Sequence, residues 1–263
     1  MYSSNNSYLQ SIYDSQITEK MLNEEKKVEQ LELGEQLIWI KRPEATRSNL
    51  FHRIVHQLTK LKILVPVERK TPLQSLNFEA LKLKTLARSG ISVAEVIGQD
   101  RQFLYLSDTG TDLRCYFKKN PLSHHERTAI ILKAVKVLAA IHQAGHYHGG
   151  AQIKNYTIDA QGVVSAIDFE DSFSSCTSLI DTQYRDLFLF LMSLSAYGDR
   201  STYRQVIDCY FTCTGNDVIK QELQQVGSRM KPLVKLLGWM ASHHHLSLDV
   251  IGVYSLLSFL TTL

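Results

Sequence analysis

The residues of this chain best suited to chemistry lie at the two ends of the segment 155–168. Asn155 ends a polar loop that begins at residue 146, and Asp168 ends an apolar stretch. An amide oxygen and a carboxylate are oxygen ligands that Mg²⁺ takes when phosphate oxygens supply part of its shell. The structural alternative is a turn-forming asparagine and an aspartate that simply ends a strand.

Two residues of opposite charge precede this segment. Lys41 ends the strand predicted at 36–41, and Glu79 lies in the helix predicted at 75–89. A fixed ammonium binds phosphate oxygens well in a partly dry cleft, but a lysine at a strand end can also just extend its charge into water. Glutamate is common on helix surfaces, so Glu79 is a weak signal on its own.

The elements that would position these residues change in character along the chain. Alternating apolar residues predict strands at 28–33, 36–41, 94–98, 103–107, 156–158 and 163–168. Helical spacing predicts helices at 48–60, 75–89, 126–144 and throughout the chain beyond residue 181. Strands first and helices second indicate the α+β class, with a polar candidate hinge at 108–113.

Composition is that of an ordinary globular protein. The chain has 263 residues, of which 44% are hydrophobic and 21% charged, enough for two lobes around a cleft. Residues 1–20 are polar and lack a secretory pattern, so we expect a cytoplasmic protein. The apolar stretch 250–263 is shorter than the ~20 residues of a membrane helix and predicts a buried terminal helix, with no transmembrane segment.

Positive charge is concentrated in the segment 41–70, which carries eight Lys or Arg residues and two Glu residues. Such a block attracts an anionic partner, for example by peripheral membrane contact, or forms a solvated surface. The sequence contains no nucleic-acid-binding motif, and we expect no nucleic-acid partner.

Taken in order over roughly residues 28–200, these features resemble the protein-kinase-like superfamily, especially the small bacterial branch that includes lipopolysaccharide-core sugar kinases. The resemblance implies a two-lobed kinase-like fold: an N-terminal extension (1–27), a small antiparallel-sheet N-lobe with the hinge (28–112) and a helical C-lobe (113–263). It also implies ATP and Mg²⁺ as ligands in the cleft. The γ-phosphoryl group would then pass to a hydroxyl of a glycan or small-molecule acceptor.

The resemblance assigns the nucleotide site to four residues. Lys41 would bind the α- and β-phosphates, and Glu79 would pair with Lys41 and fix its direction. Asn155 and Asp168 would hold Mg²⁺. Lys41 and Asp168 are therefore the candidate catalytic residues as well as ligand-binding ones.

Three further residues receive roles from the resemblance. His148 would be structural and would hydrogen-bond backbone near the metal-binding aspartate. Asp186 would cap the loop 146–155 from below. Glu170 resembles the acidic residue of sugar and antibiotic kinases at this position and is a further candidate metal ligand.

Two departures from the family pattern bear on catalysis. Gly150 stands where the family has the aspartate that acts as general base, and no glycine-rich loop precedes Lys41, since Gly34 is the only nearby glycine. A missing general base costs roughly 10²–10⁴-fold in rate, which still permits slow catalysis, and a carboxylate of Glu170 or Asp171 is an alternative candidate for the base. Gln152 occupies the place of the family's loop lysine and is a candidate to hydrogen-bond the γ-phosphate or the acceptor hydroxyl.

Two functions therefore remain open: an atypical kinase, or a pseudokinase that serves as a scaffold for a protein partner with or without nucleotide. The resemblance predicts that Lys41, Glu79, Asn155 and Asp168 converge on one cleft. An unrelated α+β protein would hold Lys41 and Asp168 far apart.

Overall fold

The computed structural model describes residues 27–33, 36–42, 44–46, 65–243 and 248–263. The predicted extension before residue 27, the predicted helix at 48–60 and the turn containing Gly34 lie outside the described residues. So does most of the basic segment 41–70.

The described residues form seven strands and seven helices, together with a 3₁₀ turn at Ile153–Asn155. The strands are β1 (Val28–Leu33), β2 (Gln36–Lys41), β3 (Val96–Gln99), β4 (Leu104–Ser107), β5 (Thr111–Asp112), β6 (Tyr156–Ile158) and β7 (Val164–Ala166). The helices are α1 (Pro72–Arg88), α2 (Leu113–Lys119), α3 (His124–Gln143), α4 (Leu179–Ser193), α5 (Arg200–Thr214), α6 (Asp217–His243) and α7 (Leu248–Leu260).

The first sheet is antiparallel, with the strand order β1-β2-β4-β3. Successive side chains of a strand point to opposite faces. Ile38 and Ile40 of β2 are therefore buried on one face, in a cluster completed by Leu31, Phe103 and Tyr105. Trp39 and Lys41 of the same strand consequently point to the other face.

Helix α1 begins at Pro72, before the predicted start at Ser75. The Thr71 side chain caps the helix and forms a capping box with Gln74. Proline suits the first helical position because its missing N–H would have had no partner there. The buried face of α1 includes Leu76, Leu83 and Glu79, which turns the glutamate toward the interior.

The second sheet is small and antiparallel, with the order β5-β6-β7. Strand β5 lies in the predicted hinge, yet it pairs with β6 and so joins the C-terminal part of the chain. Gly110 just before it has φ +91°, and a Cβ there would clash with the carbonyl oxygen of Ile158. The hinge segment is thus packed closely against the second sheet.

Strand β7 ends at Ala166, earlier than the predicted end at Asp168. The Ile167 N–H leaves the ladder and donates to the Asn155 carbonyl oxygen, 3.0 Å away. A parallel bridge between Val93 and Ala166 links the second sheet to the segment that follows α1.

The region after β7 is helical as predicted. One continuous hydrophobic core runs from α1 through the second sheet to α7. Four large apolar side chains of α7 are buried, which confirms the predicted terminal core helix: Leu256, Leu257, Phe259 and Leu260. Among the described residues, no helix combines the length and apolar character needed to cross a membrane. The chain is therefore α+β, with a small N-terminal antiparallel sheet and a helical C-terminal region.

Candidate functional site

The centre of the candidate site is the ammonium group of Lys41. Its Nζ lies 2.9 Å from Oε1 of Glu79 and 2.7 Å from Oδ1 of Asp168. A third carboxylate oxygen, Oε2 of Glu170, lies 3.7 Å away. Only 16% of the Lys41 side chain is exposed. Strand β2, helix α1 and the segment after β7 therefore meet at one cation.

The ion pairs keep this cluster charged. Burial lowers the pKa of Lys41, but the carboxylates of Glu79, Asp168 and Glu170 outweigh it and raise the pKa. Burial likewise raises the pKa of Asp168, and the neighbouring Lys41 outweighs it and lowers the pKa. Lysine and aspartate are both ionised at neutral pH. Glu170 differs, because burial dominates and raises its pKa.

Glu79 is held by more than the lysine. Its side chain is 4% exposed, and Oε1 also accepts a hydrogen bond of 3.3 Å from the backbone N–H of Phe169. A buried carboxylate needs such partners to stay charged. Glu79 therefore ties the residue after Asp168 to helix α1.

Asp168 has an unusual backbone, with φ +68°, the single positive φ among the described residues other than glycine. The left-handed conformation is costly for a side chain that is not glycine and persists where surrounding contacts hold it. Those contacts are the Lys41 ion pair and the bond from Ile167 to the Asn155 carbonyl oxygen. The turn directs a carboxylate that is 39% exposed toward the cleft.

Asp186 on α4 anchors the loop 146–155 from below. Its Oδ2 accepts from the backbone N–H of His148 at 2.6 Å, and its Oδ1 accepts from that of Gly149 at 2.9 Å. Burial raises the pKa of Asp186, but the contact with His142 and the nearby cationic groups outweigh it and lower the pKa. A buried, charged acceptor thus fixes the course of the loop.

His148 is fully buried and stacks on the ring of Phe169, with centroids 4.4 Å apart and planes at 23°. Its Nδ1 accepts a hydrogen bond of 3.3 Å from the Gly150 N–H, whereas Nε2 has no partner among the described residues. The predicted hydrogen bond to backbone near Asp168 is therefore replaced by ring stacking. Burial lowers the pKa of His148 to about 4, so the ring is neutral at pH 7.

Asn155 lies beside this cluster rather than in it. Its Nδ2 donates to the Gly150 carbonyl oxygen at 2.7 Å, and its backbone is joined to Ile167. Its Oδ1 makes no hydrogen bond with the described residues. An amide oxygen and a carboxylate such as that of Asp168 are ligand types that suit Mg²⁺ when phosphate completes its shell. The described residues contain no cluster of three or more His, Cys, Asp or Glu for a metal held by protein alone.

A cavity of about 310 Å³ opens next to Lys41 and Asp168. Most of its wall area is apolar and several polar side chains also line it, a combination typical of small-molecule sites. The apolar residues are Val28, Trp39, Ala94, Leu106 and Ile167. The indole N–H of Trp39 donates to Oδ1 of Asp108 at 2.6 Å, which fixes the ring beside the cavity.

Three residues predicted for the ligand site do not line this cavity: Asn155, Gln152 and Glu170. Gln152 lines a different cavity, together with Lys154. Glu170 faces Lys41 from a small enclosed space that also includes Leu76. In this conformation Glu170 is an ion-pair partner of the lysine.

Lys82 was not predicted from the sequence, although it lies three positions after Glu79 and so on the same side of α1. Its Nζ donates to the His148 carbonyl oxygen at 3.1 Å and lies 3.7 Å from the centre of the Tyr147 ring. Burial lowers its pKa to about 7. Arg185 similarly donates to the Gly149 carbonyl oxygen. Lys82 and Arg185 thus bind carbonyl oxygens of the loop 146–155, whose N–H groups are bound by Asp186.

The chain matches no protein-family model and no curated protein sequence. The geometry of the cleft therefore carries the functional argument.

Proposed function

We propose that this chain is an atypical kinase-fold protein that binds Mg²⁺-ATP between the N-terminal sheet and the helical region. The observation that carries the proposal is the position of Lys41, whose ammonium pairs with both Glu79 and Asp168 at the edge of a cavity of about 310 Å³. These three residues come from distant parts of the sequence. Their meeting supports a site built for a ligand with phosphate groups.

The roles of the residues follow from their charges and surroundings. Glu79 holds the Lys41 ammonium in place, and Lys41 offers its charge to phosphate oxygens. Asp168 and Asn155 supply the oxygens that would hold Mg²⁺. When bound, ATP supplies the transferable phosphoryl group and Mg²⁺ offsets its negative charge. The apolar walls beside Trp39 would exclude water from the adenine base of ATP.

The proposed reaction is transfer of the γ-phosphoryl group to a hydroxyl of a glycan or another small molecule. Gly150 provides no general base for that hydroxyl, and His148 is buried and engaged in stacking. Phosphoryl transfer through a loose transition state depends mainly on positioning and electrostatics. Turnover is therefore expected to be slow rather than zero.

A second candidate function is a pseudokinase, in which the cleft binds nucleotide or stays empty and the protein holds a partner. Gly150 is the observation that favours it. The two functions differ in one measurable property, which is phosphoryl transfer in the presence of Mg²⁺-ATP.

The experiment uses the position of Trp39 in the cavity wall. We would replace Trp239, the second tryptophan of the chain and 57% exposed, with phenylalanine, so that fluorescence reports on Trp39. ATP is then titrated with and without Mg²⁺, and ATP turnover is followed in the same samples. Asp168→Ala is the test variant, and Asp208→Ala, an exposed aspartate on α5, is its matched control.

We expect ATP to change the Trp39 fluorescence only with Mg²⁺, and Asp168→Ala but not Asp208→Ala to abolish the change. Slow turnover in the parent protein supports the kinase. Binding with no turnover above the Asp168→Ala background supports the pseudokinase. No saturable response in any sample, with calorimetry also negative, would remove the nucleotide site.

A further inference from the structure

A second cavity lies next to the loop 146–155, bounded by α4 and α7. Its volume is about 580 Å³, and the loop residues Gln152 and Lys154 line it. An adjacent cavity of about 300 Å³ shares Arg114 and Tyr197 with it. The two cavities are neighbours with shared lining residues, and together we call them the basic groove.

The part of the basic groove that the structure describes has cations but no carboxylate in its lining, and the Asp168 carboxylate acts electrostatically on Lys154 from outside it. Its cations are Arg114, Lys118, Arg127 and Lys154. Among the described residues, no carboxylate lines either cavity, and none of the four cations forms an ion pair. Asp112, the acidic neighbour of Arg114, caps α2 by accepting from the Cys115 N–H and lines the first cavity instead. Such a concentration of one sign attracts anions.

Arg127 adds an unsatisfied donor to this charge. Its Nε is buried and has no hydrogen-bond partner among the described residues, and Nη2 makes only a long bond of 3.4 Å to the Leu122 carbonyl oxygen. A buried donor without a partner is costly. The guanidinium is suited to phosphate and carboxylate because its N–H groups match two oxygens at once.

The remaining wall of the groove is largely apolar. It includes Leu189 and Met192 of α4, Tyr197, and Ile251 and Val253 of α7. Ile251 is 42% exposed. Apolar surface of this kind is favourably covered by an apolar ligand group. A concave site with both cations and apolar surface is complementary to a ligand that has an anionic part and an apolar part.

We propose that the basic groove binds a small anionic amphiphile, a molecule in which a phosphate or carboxylate adjoins an apolar portion. Its further role as the acceptor, which requires a hydroxyl on the same molecule to receive the γ-phosphoryl group, rests on the proposed function. The supporting link is the loop itself, because Asn155, a proposed Mg²⁺ ligand, directly follows Lys154, and both Gln152 and Lys154 line the groove. The Gln152 N–H donates to the Gly150 carbonyl oxygen at 2.7 Å, which holds this part of the loop against residue 150.

The test measures binding of octyl phosphate by calorimetry, below its micelle concentration and without ATP. Octyl glucoside has the same chain without charge, and inorganic phosphate has the charge without the chain. We expect octyl phosphate to bind at least about tenfold more tightly than either, since two charge-assisted contacts are lost with the neutral head group. The double variant Arg114→Gln/Lys154→Gln removes two exposed cations and should weaken octyl phosphate about tenfold or more. Lys84→Gln/Lys220→Gln, at exposed lysines of α1 and α6, is its control.

Equal affinity for octyl glucoside and octyl phosphate would show that the ligand need not be anionic. Equal affinity for inorganic phosphate and octyl phosphate would show that it need not be apolar. Either result would overturn the proposal. An equal loss in the control variant would overturn the location. Binding to phosphatidylglycerol vesicles without binding to monomeric octyl phosphate would replace the proposal with a membrane surface. Because ATP is absent from this test, the two proposals can fail separately. Binding of octyl phosphate by a protein that does not bind ATP would support the groove and remove the kinase proposal. Binding of ATP without binding of octyl phosphate would remove the groove and leave the kinase proposal standing.

Discussion

The two sides of the cleft differ in the charged side chains that they provide. On the sheet side, the ammonium of Lys41 is paired with Glu79 and Asp168, and Glu79 is held further by a buried hydrogen bond from the Phe169 N–H. On the loop side, Gly150 offers no carboxylate, and the nearby polar residues Gln152 and Lys154 line the basic groove. In the proposed kinase, binding phosphate and activating an acceptor would be separate requirements, and the described residues provide more of the groups needed for the first than for the second.

Two adjacent glycines in the loop show that the missing carboxylate is not dictated by the backbone. Gly149 has φ +104°, and a Cβ there would lie 2.8 Å from Cβ of Asp171. Gly150 has no positive φ, and the nearest atom to its Cβ would be Nδ2 of Asn155 at 3.4 Å, an ordinary contact. The backbone therefore requires glycine at position 149 but accepts a side chain at position 150.

The largest expected effect comes from Gly150→Asp, which gives the loop side the carboxylate it lacks. If the protein is a kinase, a general base there should raise ATP turnover with a suitable acceptor by roughly 10²–10⁴-fold. The measurement is steady-state ADP formation with Mg²⁺-ATP.

Gly150→Asn is the matched control, because it has nearly the same shape and cannot act as a base. Equal turnover of the two variants would show that any gain comes from loop geometry. No gain in either, in protein that still binds ATP, would favour the pseudokinase.

The next effect concerns Lys82, which joins α1 to the loop. The charged groups around it are Asp186, Asp171, Lys70 and Glu79. Its pKa is lowered to about 7 by burial, against about 10.4 in an unfolded chain. At Lys82 the unfolded state therefore binds more protons between these pH values, so the contribution of Lys82 to the free energy of unfolding rises with pH across this window.

Lys82→Met removes this pH dependence. The free energy of unfolding of the variant minus that of wild type should be larger at pH 7 than at pH 10. This difference should change by at most about 5 kcal/mol between the two pH values. Urea unfolding at both pH values measures it, with the exposed Lys84→Met as control. A gap between Lys82→Met and wild type that is the same at both pH values would contradict a buried, titrating amine.

Lys41→Met tests the sheet side directly. It removes the cation from the cleft and leaves Glu79 and Asp168 without their shared partner. Loss of a charge-assisted contact to phosphate should weaken ATP binding by about 10- to 100-fold, measured through Trp39 fluorescence. Lys84→Met should bind ATP like wild type, and a Lys41→Met protein that does so as well would refute the phosphate role.

The smallest effect compares helix caps on the two sides. Thr71 caps α1, which carries Glu79, and Ser123 caps α3 in the helical region, each within a capping box. Thr71→Ala and Ser123→Ala should each lower the free energy of unfolding by about 1 kcal/mol. Thermal or urea unfolding checks this, and a loss below a few tenths of a kcal/mol in either would show that its cap is dispensable.

Local patterns gave good predictions where one face of an element is buried. The hairpin strands 28–33 and 36–41 appear with the predicted bounds, because alternation in β2 separates the buried Ile38 and Ile40 from the cleft-facing Lys41. Element ends were predicted less well. Helix α1 starts earlier because Thr71 and Pro72 act together at its N-terminus, and β7 ends earlier because Ile167 bonds to Asn155 rather than to a strand.

For the site, charge and position in an element were readable, but proximity was not. The pattern marked Lys41, Glu79 and Asp168 as candidates. Local patterns do not show, however, that Lys41 lies within hydrogen-bond distance of two residues that are 38 and 127 positions away along the chain. Lys82 and the basic groove escaped prediction for the same reason. Their burial and their neighbours come from elements far apart in the chain.

The sequence by itself determined the order of strands and helices, the faces they bury and the absence of a carboxylate at position 150. These follow from the periodicity and chemistry of neighbouring residues. Only the tertiary structure decided that Lys41 meets two carboxylates, that Asp168 turns into a left-handed conformation and that four unpaired cations share one groove. Those features depend on packing between distant segments, which local patterns do not encode.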